Sequence, residues 1–105
     1  MKKRVKITVI KTSIFEDIVK QYGPEGFGTC PVHKEGEVFY TGFGKPDGFC
    51  DEAWKAIYQF VFSLWSGGDE FYFGDWLTVP GVAIGCCNDG LRPVVFRIER
   101  DDIEN

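Results

Sequence analysis

The 105-residue sequence predicts an α+β fold, a mostly antiparallel sheet of about four strands with two helices on one face. Three observations predict it. β-branched runs of period two stand near both ends of the chain, two stretches of helical periodicity are each stopped by glycine, and an Asn88-Asp89-Gly90 turn joins the last two strand-like runs. At this length, and with 44% hydrophobic residues, residues 1–105 suit one domain around a single core.

Val5 to Ile10 is β-branched and flanked by lysines, which makes it the first strand, with Val5, Ile7 and Val9 on one face. A short helix follows. Ser13 is its predicted cap and Glu16 the partner in a capping box. Phe15, Ile18, Val19 and Tyr22 form its apolar side, and Gly23-Pro24 ends it. From Gly23 to Gly36, four glycines and two prolines with little periodicity read as a long loop, which holds Cys30 and the single histidine, His33. Loops of that length inside a compact domain are usually either functional or disordered.

Glu37 to Tyr40 is the second strand, and Gly42 to Gly48 a second glycine-rich loop. The longest helix runs from about Asp51 to Trp65 and stops at Gly67-Gly68. Trp54, Ile57, Tyr58, Val61, Leu64 and Trp65 make an apolar stripe that Ala53, Ala56 and Phe60 widen, so this helix is expected to be buried on more than one side. The aromatic run Phe71 to Trp76 reads as a strand or a lid. Val82 to Cys87 and Pro93 to Glu99 then form a hairpin, because Asp-Gly supplies the positive φ of a tight turn; Pro93 belongs at a strand start or on an edge.

Composition excludes several classes of function. A formal net charge of −4, with cations gathered at the start and acids at the end, offers no clustered basic face, so no nucleic-acid partner is expected; both charge runs read as solvated termini. Lys6 and Lys11 interrupt the apolar run after the first residues, and no stretch reaches the roughly 20 apolar residues of a membrane helix, so neither a signal peptide nor a membrane partner is expected. The expected location is the cytoplasm, where thiols stay reduced and cysteine patterns point to metal or catalysis. Aromatic residues make up 16% of the chain, more than such a core readily absorbs, which predicts a homo-oligomer or a small-molecule pocket.

The cysteines carry the chemistry. They stand in Gly28-Thr29-Cys30-Pro31, Gly48-Phe49-Cys50-Asp51 and Gly85-Cys86-Cys87-Asn88, at the edges of turns, and this points to a shared metal or thiol site. Cys50 precedes the long helix, whose N-terminus favours a thiolate, and is the candidate nucleophile of a thiol enzyme. On a strand, Cys86 and Cys87 must face opposite ways. Cys86 shares its side with Val82 and Ile84, read as core, whereas Cys87 shares its side with Ala83 and Gly85, which leave room for a ligand; Cys87 is therefore assigned to function and Cys86 to packing. Cys30 and His33 form a Cys-x-x-His pair, half of a mixed thiolate–imidazole site, although an exposed His33 is the blander expectation. The expected metal ligands are Cys30, Cys50, Cys87 and His33, for zinc or iron, without the paired Cys-x-x-Cys knuckles of structural zinc sites. Asp75 is the carboxylate nominated as a pocket acid, whereas Asp89 and Arg92 are assigned to the turn as a pair.

Together, Gly28-x-Cys30-Pro31, Gly48-Phe49-Cys50-x-x-Ala53-Trp54-x-x-Ile57, Gly67-Gly68 and Cys87-x-Asp89-Gly90-x-Arg92-Pro93-Val94 resemble an uncharacterised family of small, roughly hundred-residue cysteine-containing proteins widespread in anaerobic bacteria and archaea. The resemblance spans Val5 to Arg100. It implies a standalone intracellular domain and draws attention to Cys30, Cys50 and Cys87. The function expected from all this is transition-metal binding, with a metal-free thiol enzyme or a non-catalytic binding or assembly module as alternatives.

Overall fold

A computed structural model describes residues 2–104. Its elements are β1 (Val5–Thr12), α1 (Glu16–Tyr22), β2 (Val38–Thr41), α2 (Asp51–Trp65), a 3₁₀ turn (Tyr72–Gly74), β3 (Val82–Cys86) and β4 (Val94–Arg100). The strands form a four-stranded sheet in the order β2-β1-β4-β3, with every neighbouring pair antiparallel. The α+β architecture predicted from the patterning is therefore present.

The two central strands lie at opposite ends of the sequence. β1 and β4 pair from Val5↔Arg100 to Thr12↔Val94, with a register slip between Val9 and Lys11. This pairing brings the basic start against the acidic end. The Arg4 guanidinium meets Asp101, the Arg4 backbone N–H reaches Asp102, and Lys2 bridges Ile103. Among the described residues, the charge runs expected as solvated tails thus meet in one side-chain ion pair, Arg4–Asp101, although such a half-exposed pair contributes little, typically about 0–1 kcal/mol.

The core lies between one sheet face and α2. Val5, Ile7 and Val9 of β1, Val94, Phe96 and Ile98 of β4, and Ala83 of β3 meet Ala53, Ile57, Val61 and Leu64 of α2, all essentially sealed from water. The strand residues recur with period two and the helix residues at i, i+4, i+8 and i+11, so each element shows one stripe to the other. Gly85 lets α2 come close. A Cβ there would stand 3.1 Å from Ile57 Cγ2 and 3.2 Å from Phe60 Cε2, tighter than ordinary packing.

That close approach corrects the predicted face of β3. The small residues Ala83 and Gly85 face the core, and the bulkier Val82, Ile84 and Cys86 face away; Cys86 is exposed rather than packed inside. Bulk had suggested burial, but the helix fits only over the small side.

Three further expectations are corrected. Ser13 does not cap α1: its hydroxyl donates to the Pro93 carbonyl, and the helix begins at Glu16 with Phe15 as a cap residue that makes no side-chain cap bond. Only Val19 of the predicted apolar side of α1 is buried, while Phe15, Ile18 and Tyr22 are exposed. α1 is tied at its start by the Phe15 N–H to the Leu91 carbonyl, and α2 is the helix that packs on β1, β3 and β4. The segment before β3 is a 3₁₀ turn rather than a strand. Tyr72 and Phe73 there hold φ of 54° and 65°, left-handed values that strain non-glycine residues, and the Tyr72 hydroxyl donates to the Ile84 carbonyl at the sheet edge. Among the described residues no helix is long and apolar enough to cross a membrane.

Candidate functional site

Three connections converge at one end of α2: the long loop before β2, the loop that leads into α2, and the link between β3 and β4. They deliver Cys30, Cys50 and Cys87 to the wall of one cavity of about 330 Å³. Val32, His33, Glu52, Ala53, Asn88, Asp89, Arg92 and Val94 complete that wall. All four cysteines are free thiols, and Cys86 lies outside this cavity.

Each sulfur is placed by a different device. Cys30 begins a Cys-Pro-Val turn, in which the Val32 N–H points at Cys30 Sγ, 3.4 Å away. Cys87 follows the last residue of β3, and its Sγ accepts from the Val94 N–H at 3.3 Å, across the mouth of the hairpin. Cys50 is the N-cap residue of α2 at φ −64°, ψ 130°, and its side chain makes no cap bond, so the thiol is not committed to the helix end. Backbone N–H groups aimed at sulfur are the donors that steady thiolates in metal and redox sites.

His33 organises this wall from behind. It is buried, not exposed as expected, with 2% of its surface accessible, and it sits among the rings of Phe39, Phe49 and Phe96 at centroid distances of 5.4, 5.0 and 5.8 Å. Its Nε2 accepts the Cys50 backbone N–H at 3.2 Å, and its Nδ1 faces Glu37 Oε1 at 3.0 Å. An N–H donor needs a lone pair, so Nε2 is bare and Nδ1 carries the proton that Glu37 accepts. Glu37 Oε1 also accepts the Lys34 N–H at 3.1 Å. Both ring nitrogens are thus engaged within the protein. In this geometry His33 anchors the loop of Cys30 to the start of α2 and is not free to act as the fourth ligand that the Cys-x-x-His spacing suggested.

The hairpin connection is wider than a tight two-residue turn and is held by Asp89. Its Oδ1 accepts the Leu91 and Arg92 N–H groups at 2.9 and 3.2 Å, and its Oδ2 accepts Arg92 Nε at 2.9 Å. Partial burial opposes the Asp89 charge, yet the two backbone donors and the Arg92 guanidinium together hold its carboxyl below the usual aspartate range. Asn88 Nδ2 donates to the Glu52 carbonyl at 3.1 Å, which stitches this link to the first turn of α2. The Lys55 ammonium beside Glu52 likewise lowers that carboxyl.

Among the described residues, no three His, Cys, Asp or Glu side chains stand ready in metal-ligand geometry. Cys30, Cys50 and Cys87 share a cavity wall without forming a closed coordination sphere. Asp75 lies elsewhere, exposed after the 3₁₀ turn and outside the cavity wall. On Cys86, partial desolvation of the otherwise exposed side chain and the adjacent Cys87 push the thiol above its ordinary value.

Sequence reasoning missed Asn88, Glu52 and Glu37 as shapers of the site and saw Arg92 only as a partner of Asp89. Spacing gave a signal for the Asp89–Arg92 pair alone; the others act across distant segments. Comparison with protein-family models, with curated proteins and with solved structures found no match.

Proposed function

We propose that the protein binds a transition-metal ion, zinc or iron, through Cys30, Cys50 and Cys87, with a fourth coordination position open to the cavity. One observation carries this reading: three thiols from three distant connections line a single cavity, while Cys86 is left outside it. Soft thiolates suit zinc and iron, and the N–H groups aimed at Cys30 and Cys87 suit sulfurs that carry charge. Because the sulfurs do not stand in ligand geometry, binding draws them inward by rotation about χ1 and small shifts of the glycine-flanked loops, so loading also rigidifies this end of the fold.

A metal-free thiol enzyme with Cys50 as nucleophile is the second reading, favoured by the placement of Cys50 at the start of α2 and by a cavity large enough for a small molecule. It lacks a base. His33 Nε2 is taken by the Cys50 backbone N–H, Asp75 is remote, and the carboxylates of Glu52 and Asp89 are paired with Lys55 and Arg92. The metal reading needs no such group.

A cytoplasmic setting keeps all four thiols reduced, and the anaerobe family that the motifs resemble fits it. A second copy of the chain is the proposed macromolecular partner, since Tyr58, Phe62 and Phe43 form an exposed aromatic strip beside Trp54 and Trp65. Elemental analysis of anaerobically purified protein tests the metal. About one zinc or iron per chain, lost in the triple Cys30/Cys50/Cys87→Ser variant, supports it; less than about 0.2 per chain removes it, since a soft site retains its ion through purification.

A further inference from the structure

We propose that the cavity takes a small ligand bearing one carboxylate, and that Arg92 is the group that recognises it. This rests on the cavity being the functional site, as above, and names the chemistry that fills the space beside the sulfurs. Arg92 lines the same wall as Cys30, Cys50 and Cys87. Its guanidinium lies over the Phe27 ring, with Cζ 4.2 Å from the centroid, and its Nε donates to Asp89 Oδ2. The stack and the Nε bond fix the plane of the group. Among the described residues neither Nη of Arg92 has an acceptor, which leaves part of its donor fork unspent. A pre-oriented fork of that kind matches the two oxygens of a carboxylate.

Size, charge and lining narrow the class. A volume of about 330 Å³ stands at the small end of ligand cavities, roughly 300–1,000 Å³. Arg92 is the one Arg or Lys on the wall among the described residues, and the carboxylates of Glu52 and Asp89 share that wall, so the site disfavours a ligand that brings more than a single negative charge. Val32, Ala53 and Val94 give the ligand an apolar seat.

Iodoacetate and iodoacetamide test the proposal, since both alkylate sulfur through the same carbon and differ in charge. The ratio of their rates at a given thiol cancels that thiol's own reactivity, and Cys86, outside the cavity, supplies an internal reference. On reduced protein read site by site by mass spectrometry, the acetate-to-acetamide ratio at the cavity thiols is expected to exceed that at Cys86 by about fivefold. It falls to the Cys86 value in Arg92→Gln and is partly retained in Arg92→Lys, which preserves charge and guards against a folding artefact. Equal ratios at all four thiols, or a ratio unchanged in folded Arg92→Gln, overturn the proposal. Where bound metal shields the sulfurs, 3-mercaptopropionate and its amide are compared by thermal melting. A larger stabilisation by the acid that Arg92→Gln abolishes supports the proposal, and equal shifts overturn it. Metal content separates the two readings: a metal-free protein that keeps the charge preference sinks the metal site alone, and a loaded protein without the preference sinks this inference alone.

Discussion

His33 is the residue on which the site turns. It is the buried polar side chain of the core, bonded on one nitrogen to the backbone of Cys50 and on the other to Glu37. Replacing it with Ala leaves a cavity among Phe39, Phe49 and Phe96 and strips the Cys50 N–H of its acceptor. His33→Ala is expected to destabilise the fold by about 2–4 kcal/mol in urea unfolding, well beyond a surface substitution. A loss below about 0.5 kcal/mol contradicts its anchoring role. Asp89 gives a pH signature. Its carboxyl is lowered in the fold from an ordinary value of 3.8, so it favours the ionised native state. That contribution is fully present above about pH 4 and is lost as pH falls through the lowered native value. Asp89→Asn should therefore flatten the acid limb of the stability profile, by less than about 1 kcal/mol because the side chain is partly exposed. An unchanged acid limb speaks against the turn as described.

Elements were legible in proportion to how local their causes are. α2 was readable to its ends because periodicity, the Cys50-Asp51 start and the Gly67-Gly68 stop all lie within its own sequence, and Val82–Cys86 and Val94–Arg100 follow strand patterning nearly to the residue. What failed depends on neighbours. The inward face of β3 is decided by the distance to α2, which Gly85 sets; the exposure of Phe15, Ile18 and Tyr22 follows from how little of α1 other segments cover, Val19 alone being buried. The site followed the same rule: turn-edge placement singled out Cys30, Cys50 and Cys87, while the contacts of His33 with Glu37 and Cys50 cross loops that no periodicity connects. Gly85→Val tests the packing logic, because its branched side chain meets Ile57 and Phe60. A destabilisation of about 1–3 kcal/mol in chemical denaturation is expected, and a neutral outcome means that α2 does not lie as close to β3 as described.

At the scale of the whole molecule, one sheet face and one end of α2 do different work. The core face gives stability, and the N-terminal end of α2 gathers the thiols. The outer flank of α2 shows Tyr58 and Phe62 at 38% and 49% exposure beside Phe43, a strip suited to burial against a second copy. Phe62→Glu should shift sedimentation toward monomer while leaving the melting temperature of the monomer nearly unchanged. A single monomeric species in the wild type at high concentration removes the interface. The central claim, that Cys30, Cys50 and Cys87 form one metal-binding set, is met most directly by cobalt(II) titration of the reduced protein under anaerobic conditions. A thiolate-to-cobalt charge-transfer band should saturate at about one ion per chain, weaken in each of Cys30→Ser, Cys50→Ser and Cys87→Ser, and persist in Cys86→Ser. Absence of that band, or equal loss when Cys86 is replaced, contradicts the claim.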